Sequence, residues 1–560
     1  MKTTRRAIIG GALCTWAITP FQASMASGLL TRGTLDSAYL NGRIWRGEKR
    51  APYTDAIGIS GGRIAAVGAS AVRALMVPGT RVVDLAGAHV VPGFMDNHTH
   101  FTEGSLMLVR IPLLEAATPR QFIDMIAAGA RALPKGAWLQ AFGWDAERWG
   151  GELPTAAWVD AHTADVPIAL TRTDGHQIFA NSLALRLAGI DRNTPDPAGG
   201  VIVRDAKGEP TGILRDNAQD LVRRLIPPAS HAEIDAAIRL GIKKGLSRGV
   251  TQAHGTDLDW QTFHAMRRLH QAGDRNMRFY SMVPLEDWAK LAAIIKQEGR
   301  GDDWLRWGGT KVLTDGALGS RTALMRHGYA NEPQNHGIAI HAFEKVQEWV
   351  AGADSAGLQV ACHAIGDQAI GRVLDIYAEV ARKNGARDRR FRIEHVQHLA
   401  EDEVPRFAKQ GVIASMQPYH AIDDGRWAAG PLGPERLHLS WALRSLLDAK
   451  ACVTLGSDWP VAPLDPLVGI HAAVLRQTTD GKNPNGFVPE QKISVAEALT
   501  AYTRANAYAG FQEERLGSIV PGKLADFVVL SEDLLAVDPS KIDKIGVVRT
   551  VVGGEDRFTA

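Results

Sequence analysis

His89-Val90-Val91-Pro92-Gly93-Phe94-Met95-Asp96-Asn97-His98-Thr99-His100 is the stretch whose reading decides the fold. An apolar run carrying Pro92 and Gly93 leads into two histidines one residue apart. On an extended strand successive side chains alternate faces, so His98 and His100 project the same way. Two imidazoles side by side at a strand end can chelate one metal ion. A bare His-x-His pair recurs often by chance, so the rest of the chain has to decide whether it is a site.

Downstream, apolar runs alternate with amphipathic stretches, the pattern of parallel strands joined by helices. With the opening strand as the first, seven more candidates follow: Gly249–His254, Arg278–Pro284, Gly308–Asp315, Leu358–His363, Phe391–Gln397, Gly411–Gln417 and Cys452–Asp458. Helical segments such as Ala232–Arg248 and Phe343–Ala356 fall between them. Eight strands with alternating helices predict an α/β fold, a (β/α)8 TIM-like barrel, over residues 89–512. About 150 residues separate His100 from Gly249, where a βα unit takes ~30. Residues 101–248 therefore include a long insertion after barrel strand one, with its own strand-like runs at Trp138–Phe142 and Pro167–Leu170. It lies on the face where barrel active sites form, as a lid or substrate-pocket element. Residues 27–88 and 513–560 read as short strands with hairpin signals at Asn41-Gly42 and Gly61-Gly62. Neither end could form a stable sheet alone, so the two are expected to pack as one small β-sandwich domain.

The composition of the 560 residues is that of an ordinary globular protein, 45% hydrophobic and 22% charged. With 63 basic against 61 acidic residues and no basic block, nucleic acid is not an expected partner. Met1-Lys2-Thr3-Thr4-Arg5-Arg6, an uncharged run from Ala7 to Pro20 and Ser24-Met25-Ala26 have the order of an export signal, residues 1–26. Arg5-Arg6 before Ala7-Ile8-Ile9 resembles a twin-arginine signal, which implies the twin-arginine export machinery and a periplasmic or secreted product. That apolar run is short for a membrane span, and no later segment offers ~20 apolar residues in a row. Of three cysteines, Cys14 belongs to the signal; Cys362 and Cys452 are expected free and buried, one disulfide being the alternative. The sequence is compatible with a homo-oligomer.

The strand ends carry the chemistry. Strand one ends in His98 and His100, strand four carries Lys311 and ends in Asp315-Gly316, strand five ends in His363, strand six in His395 and strand eight in Asp458. Singly, each has a bland explanation: a hydrogen-bonded core histidine, a lysine snorkelling to the surface, an aspartate capping a helix. Ligand-type residues at matching ends of several barrel strands read instead as a metal site.

The chain resembles the amidohydrolase superfamily of metal-dependent hydrolases, specifically its YtcJ-like branch, which includes N-substituted formamide deformylase. The resemblance spans essentially the whole mature chain. It rests on Val91–His100, Thr171-Arg172-Thr173-Asp174-Gly175-His176, Lys311–Arg321, His363-Ala364-Ile365-Gly366-Asp367, Glu394-His395-Val396-Gln397, Gly456–Val461 and Pro521–Phe527. It implies that His98, His100 and Asp458 hold one divalent ion, that His363 and His395 hold a second, and that Lys311 bridges them. A lysine ammonium has no lone pair, so Lys311 could bridge only as a carboxylated carbamate. If Lys311 is unmodified, a one-metal site survives on the other residues. The implied cofactor is one or two Zn, although such ligands also accept Mn, Fe or Co.

The activity implied is hydrolysis of a small-molecule substrate at a C–N amide-type bond (amide, N-formyl or N-acyl). Metal-bound hydroxide would attack and Asp458 would act as general base. Trp144, Asp174, His176 and Arg321 are candidate substrate-binding residues, with His254 in a supporting or pocket role. The rival readings are a carbamate or ester hydrolase on the same fold, and a metal-binding regulatory protein without turnover.

Overall fold

The computed structural model describes residues 34–560; the predicted export signal lies outside them. Eight parallel strands form the barrel: β1 (Phe94–Thr99), β2 (Val250–Gly255), β3 (Arg278–Pro284), β4 (Leu305–Leu313), β5 (Gln359–Ala364), β6 (Arg392–His395), β7 (Ile413–Met416) and β8 (Cys452–Leu455). Each pairs in parallel with its sequence neighbour from β1 to β8. Closure between β8 and β1 is made by the chain just past β8 against the end of β1. There the Asp458 amide donates to His98 O at 2.8 Å, and the His100 amide donates to Trp459 O at 2.8 Å. All eight predicted strands are present. The helix expected over 232–248 spans His231–Ser247, started by a reciprocal Ser230–Glu233 capping box.

The opening stretch differs from its prediction as a single strand. His89–Pro92 belongs to another sheet, where it pairs antiparallel with Phe527–Leu530 and parallel with Arg43–Trp45. The chain changes sheets at Gly93. A Cβ there would come within 2.3 Å of Thr251 Oγ1, so only glycine lets the backbone lie this close to β2.

Strands from both ends of the chain make two further sheets. One has four strands, from Ser37–Leu40 to Arg81–Asp84; the other has six and includes Val547–Val552 and Glu555–Thr559. Tyr39, Ile57 and Ile64 of the first share a buried cluster with Val90, Phe527 and Val551 of the second. One buried ion pair ties these sheets to the barrel: Arg278 at the start of β3 donates to Asp526 at 2.6 and 2.9 Å.

The insertion folds around a five-stranded sheet ordered Gly200–Arg204, Pro210–Asp216, Gln177–Ala180, Ile168–Arg172, Leu139–Trp144. Its cores are distinct from that of the barrel. The bounding helices Phe101–Met107 and His231–Ser247 pack on the barrel through Phe101, Ile234 and Ile238. Cys362 and Cys452 form no disulfide. Among the described residues no helix is long and apolar enough to cross a membrane.

Candidate metal centre and active site

Alternation along β1 sends His98 into the barrel mouth, fully buried, and His100 follows one residue beyond the strand at the start of the next helix. Their rings lie 5.6 Å apart. Asp458 sits between the two sides of the site and uses both carboxylate oxygens. Oδ1 lies 3.4 Å from His98 Nε2 and 3.3 Å from His100 Nε2; Oδ2 lies 3.8 Å from His395 Nδ1 and 3.7 Å from His420 Nε2. His395 and Asp458 reach these positions from left-handed backbone, φ +76° and +64°, a conformation kept by non-glycine residues mainly where the surroundings enforce it.

Ligand atoms of His98, His395 and Asp458 lie within 4.8 Å of one another, so one ion could touch all three. The donors fit that use. His98 Nε2, His395 Nδ1, Asp458 Oδ1 and Lys311 Nζ are all buried without a hydrogen-bond partner, which is costly unless something else satisfies them. Burial, reinforced by the Lys311 charge, pushes the His98 imidazole down to about 4. Burial also holds His363 and His395 well below the ordinary histidine value. Neutral imidazoles keep a lone pair for a metal. Burial alone would raise the Asp458 carboxyl, but His98 and His100 beside it outweigh that and hold it below the usual carboxylate range. Burial lowers Lys311 from the ordinary lysine value.

His98 and His100 share Asp458 Oδ1, and the rings of His363 and His395 lie 4.4 Å apart. His395 also borders the first pair, its ring 4.7 Å from that of His98 and its Nδ1 3.8 Å from Asp458 Oδ2. His363 Nε2 is 3.2 Å from Gly316 O and 3.5 Å from Asp315 Oδ1. Asp315 itself is a loop tie, accepting from the amides of Ile365, Gly366 and Leu324 at 2.9–3.1 Å.

The site opens into a cavity of about 690 Å3, walled on one side by the insertion and lined by Lys311, His363, His395, Asp174 and His176, among others. His176 accordingly faces the cavity. Its Nδ1 lies 2.7 Å from Asp216 Oδ1, and its ring lies 5.2 Å from that of His363. Asp174 pairs with Arg172, which also binds Asp145 at 3.1 Å.

Two predicted pocket residues do not line the cavity. Trp144 is fully buried in the insertion core, its indole N–H donating to Leu170 O at 2.7 Å. The strand register shifts between Phe142 and Trp144, so Trp144 joins the core with Leu139 and Ala141 while Phe142 and Asp145 line the cavity. The Arg321 guanidinium donates to Leu318 O and Gly319 O at 2.9 and 3.2 Å, closing its own loop. His254 is buried below the cavity, its Nδ1 3.2 Å from Arg392 Nη1.

Sequence reasoning missed the supports. Glu394 Oε2 lies 2.6 Å from His98 Nδ1, and its Oε1 accepts from Arg392 Nε at 2.7 Å. Engaging Nδ1 fixes the His98 ring so that Nε2 faces the centre. Despite burial, Arg392 and His98 keep the Glu394 carboxyl well below the usual range. Glu394 directly precedes His395 in Glu394-His395-Val396-Gln397, but strand alternation aims it away from His395, and only the barrel brings it to His98. His420 was also missed. It sits four residues past β7, one of the strand ends at which no ligand was sought.

Fold and site together define a metal-dependent hydrolase of the (β/α)8 type. The chain matches the amidohydrolase family over residues 81–557 and belongs to it. It is 39% identical to "Protein LONG AFTER FAR-RED 3" of Arabidopsis thaliana, over 93% of this chain and 91% of that one. It is 34% identical to putative amidohydrolase YtcJ of Bacillus subtilis, over 85% and 90% of the two chains. With the N-substituted formamide deformylase of Arthrobacter pascens it shares 30% identity, over 93% and 98%. A solved structure of an uncharacterized metal-dependent hydrolase from Pyrococcus horikoshii superimposes with TM-score 0.74 at 27% identity, covering 90% of this chain and 99% of that one.

Proposed function

We propose that this protein hydrolyses a C–N amide-type bond of a small molecule, an amide, N-formyl or N-acyl group, with Asp458 as general base. The observation that carries the reading is the buried His98–His395–Asp458 cluster, its donor atoms unpartnered and opening on a cavity of substrate size. The similarity to a formamide deformylase supports the choice of bond. His98, His395 and Asp458 would hold a divalent ion, with His100, His363 and Lys311 completing the set if there are two; zinc suits these donors. Such an ion polarises a substrate carbonyl and lowers the pKa of water to about 7.

The chain's own residues do the rest. Ionised Asp458 takes a proton from the attacking water and returns it to the leaving amine. His176, held by Asp216, and Asp174 line the insertion wall where the substituents of the substrate are read. Lys311, buried and without a hydrogen-bond partner, is suited to carboxylation, because a carbamate would give it two acceptor oxygens for ions. A mass increase of one CO2 on the intact protein, absent in Lys311→Met, is the check.

The central experiment combines metal analysis with a screen of N-formyl, N-acyl, carbamate and ester substrates. Asp458→Asn should keep the fold while hydrolysis falls by a factor of about 10²–10⁴, the usual worth of a general base. A fully active variant would remove Asp458 from its role, and metal-loaded wild type inert across the screen would sink the hydrolase reading. Residues 1–26 are proposed as a twin-arginine export signal. Periplasmic appearance abolished by Arg5→Lys with Arg6→Lys is the expected result, and unchanged export would refute it.

A further inference from the structure

Past the end of β7 the chain enters the helix Pro418–Asp423, which carries His420 into the cavity. His420 is 7% exposed, and its ring lies nearly parallel to that of His395, at 12° and 6.1 Å. Its Nε2 has no hydrogen-bond partner and lies 3.7 Å from Asp458 Oδ2. Position alone would make it one more metal ligand.

The other ring nitrogen argues otherwise. Gln397 Nε2 lies 3.1 Å from His420 Nδ1. With the Gln397 amide set in this orientation its nitrogen donates and Nδ1 accepts. A ring accepting at Nδ1 is neutral and carries its proton on Nε2. The atom facing the site is then an N–H, which has no lone pair for a metal but can donate a hydrogen bond. Gln397 also lines the cavity, so both members of the pair border the space a substrate would fill.

We propose that His420, locked by Gln397 into the tautomer with its proton on Nε2, donates a hydrogen bond to the substrate carbonyl oxygen as it gains negative charge, and is not a metal ligand. This assignment rests on the hydrolase reading above. A preset donor in a dry site stabilises the transition state more than the ground state, so its loss lowers kcat more than it raises KM.

The test uses the full-length metal-loaded protein and the best N-formyl or N-acyl substrate from the screen. His420→Leu should lower kcat by about 10²–10³, the usual worth of one such donor. KM should stay within about threefold, and the metal content per chain should equal that of wild type. His420→Gln, which retains an N–H donor, should recover part of the loss, and it serves as the test if the leucine variant fails to fold. Gln397→Met should lower kcat with metal content unchanged. Loss of metal in parallel with activity in either His420 variant would make His420 a ligand and overturn the assignment. Wild-type kcat in His420→Leu would overturn it equally, and wild-type kcat in Gln397→Met would remove the lock. Metal-loaded wild type inert on every substrate would instead bring down the hydrolase reading, and this assignment with it.

Discussion

Glu394 shows how much a site depends on a residue that never faces the substrate. Its carboxylate is shared between His98 Nδ1 and Arg392 Nε, with Ser415 Oγ donating to the oxygen that meets His98. Removing that orientation should weaken metal binding by about 10- to 100-fold, as loss of such a carboxylate partner typically does. Glu394→Gln measured by competition with a metallochromic chelator is the check, and an affinity equal to wild type would show that the ring is held without it. The candidate ligand positions were legible in the sequence because ligand-type residues recur at matching ends of several barrel strands. Trp144 was misread because a tryptophan next to a motif looks like a substrate contact, whereas its burial against Leu170, Phe122 and their neighbours depends on an insertion sheet that no local pattern reveals.

At the scale of elements, the join between β3 and the terminal sheets is made by Arg278 and Asp526, 1% and 3% exposed at their side chains. Asp526 Oδ1 also accepts from the Gly553 amide at 2.8 Å, and its carbonyl accepts from the Gly93 amide at 3.0 Å. Asp526→Ala would leave a buried guanidinium without its counter-charge, so a loss of about 3–5 kcal/mol is expected in urea unfolding. Adding Arg278→Met should restore most of that loss, since a buried pair replaced by apolar groups is often near neutral. If the double variant is no more stable than Asp526→Ala, the pair is not the source of the loss. Strand existence was readable element by element, since apolar runs bounded by turns recur eight times. The split of His89–His100 into two strands was not, because the break at Gly93 follows from how close Thr251 comes.

For the whole molecule, an ion held at the proposed site would couple folding to metal. An ion that binds only the folded chain, present at 100 to 1,000 times its Kd, adds about 2.7–4.1 kcal/mol of stability. Protein dialysed against a chelator should therefore unfold at lower denaturant than protein reloaded with zinc, followed by far-UV circular dichroism. Coincident curves would show that no ion occupies the cluster in the folded state.

The order of strands, the long gap after β1, the related texture of the two chain ends and most ligand types are local properties of the sequence, and the sequence by itself determined them. Which ligands share an ion is not local. It depends on how the folded chain gathers the candidates around Asp458, whose two oxygens reach His98 and His100 on one side and His395 and His420 on the other. Strand alternation gives the direction of a side chain, but only closure of the barrel brings β1, β6 and β8 to within a few ångströms of one another. The His98–His100 pair is thus anchored from below by Glu394 and completed from across the barrel by Asp458, relations that exist only in the folded chain.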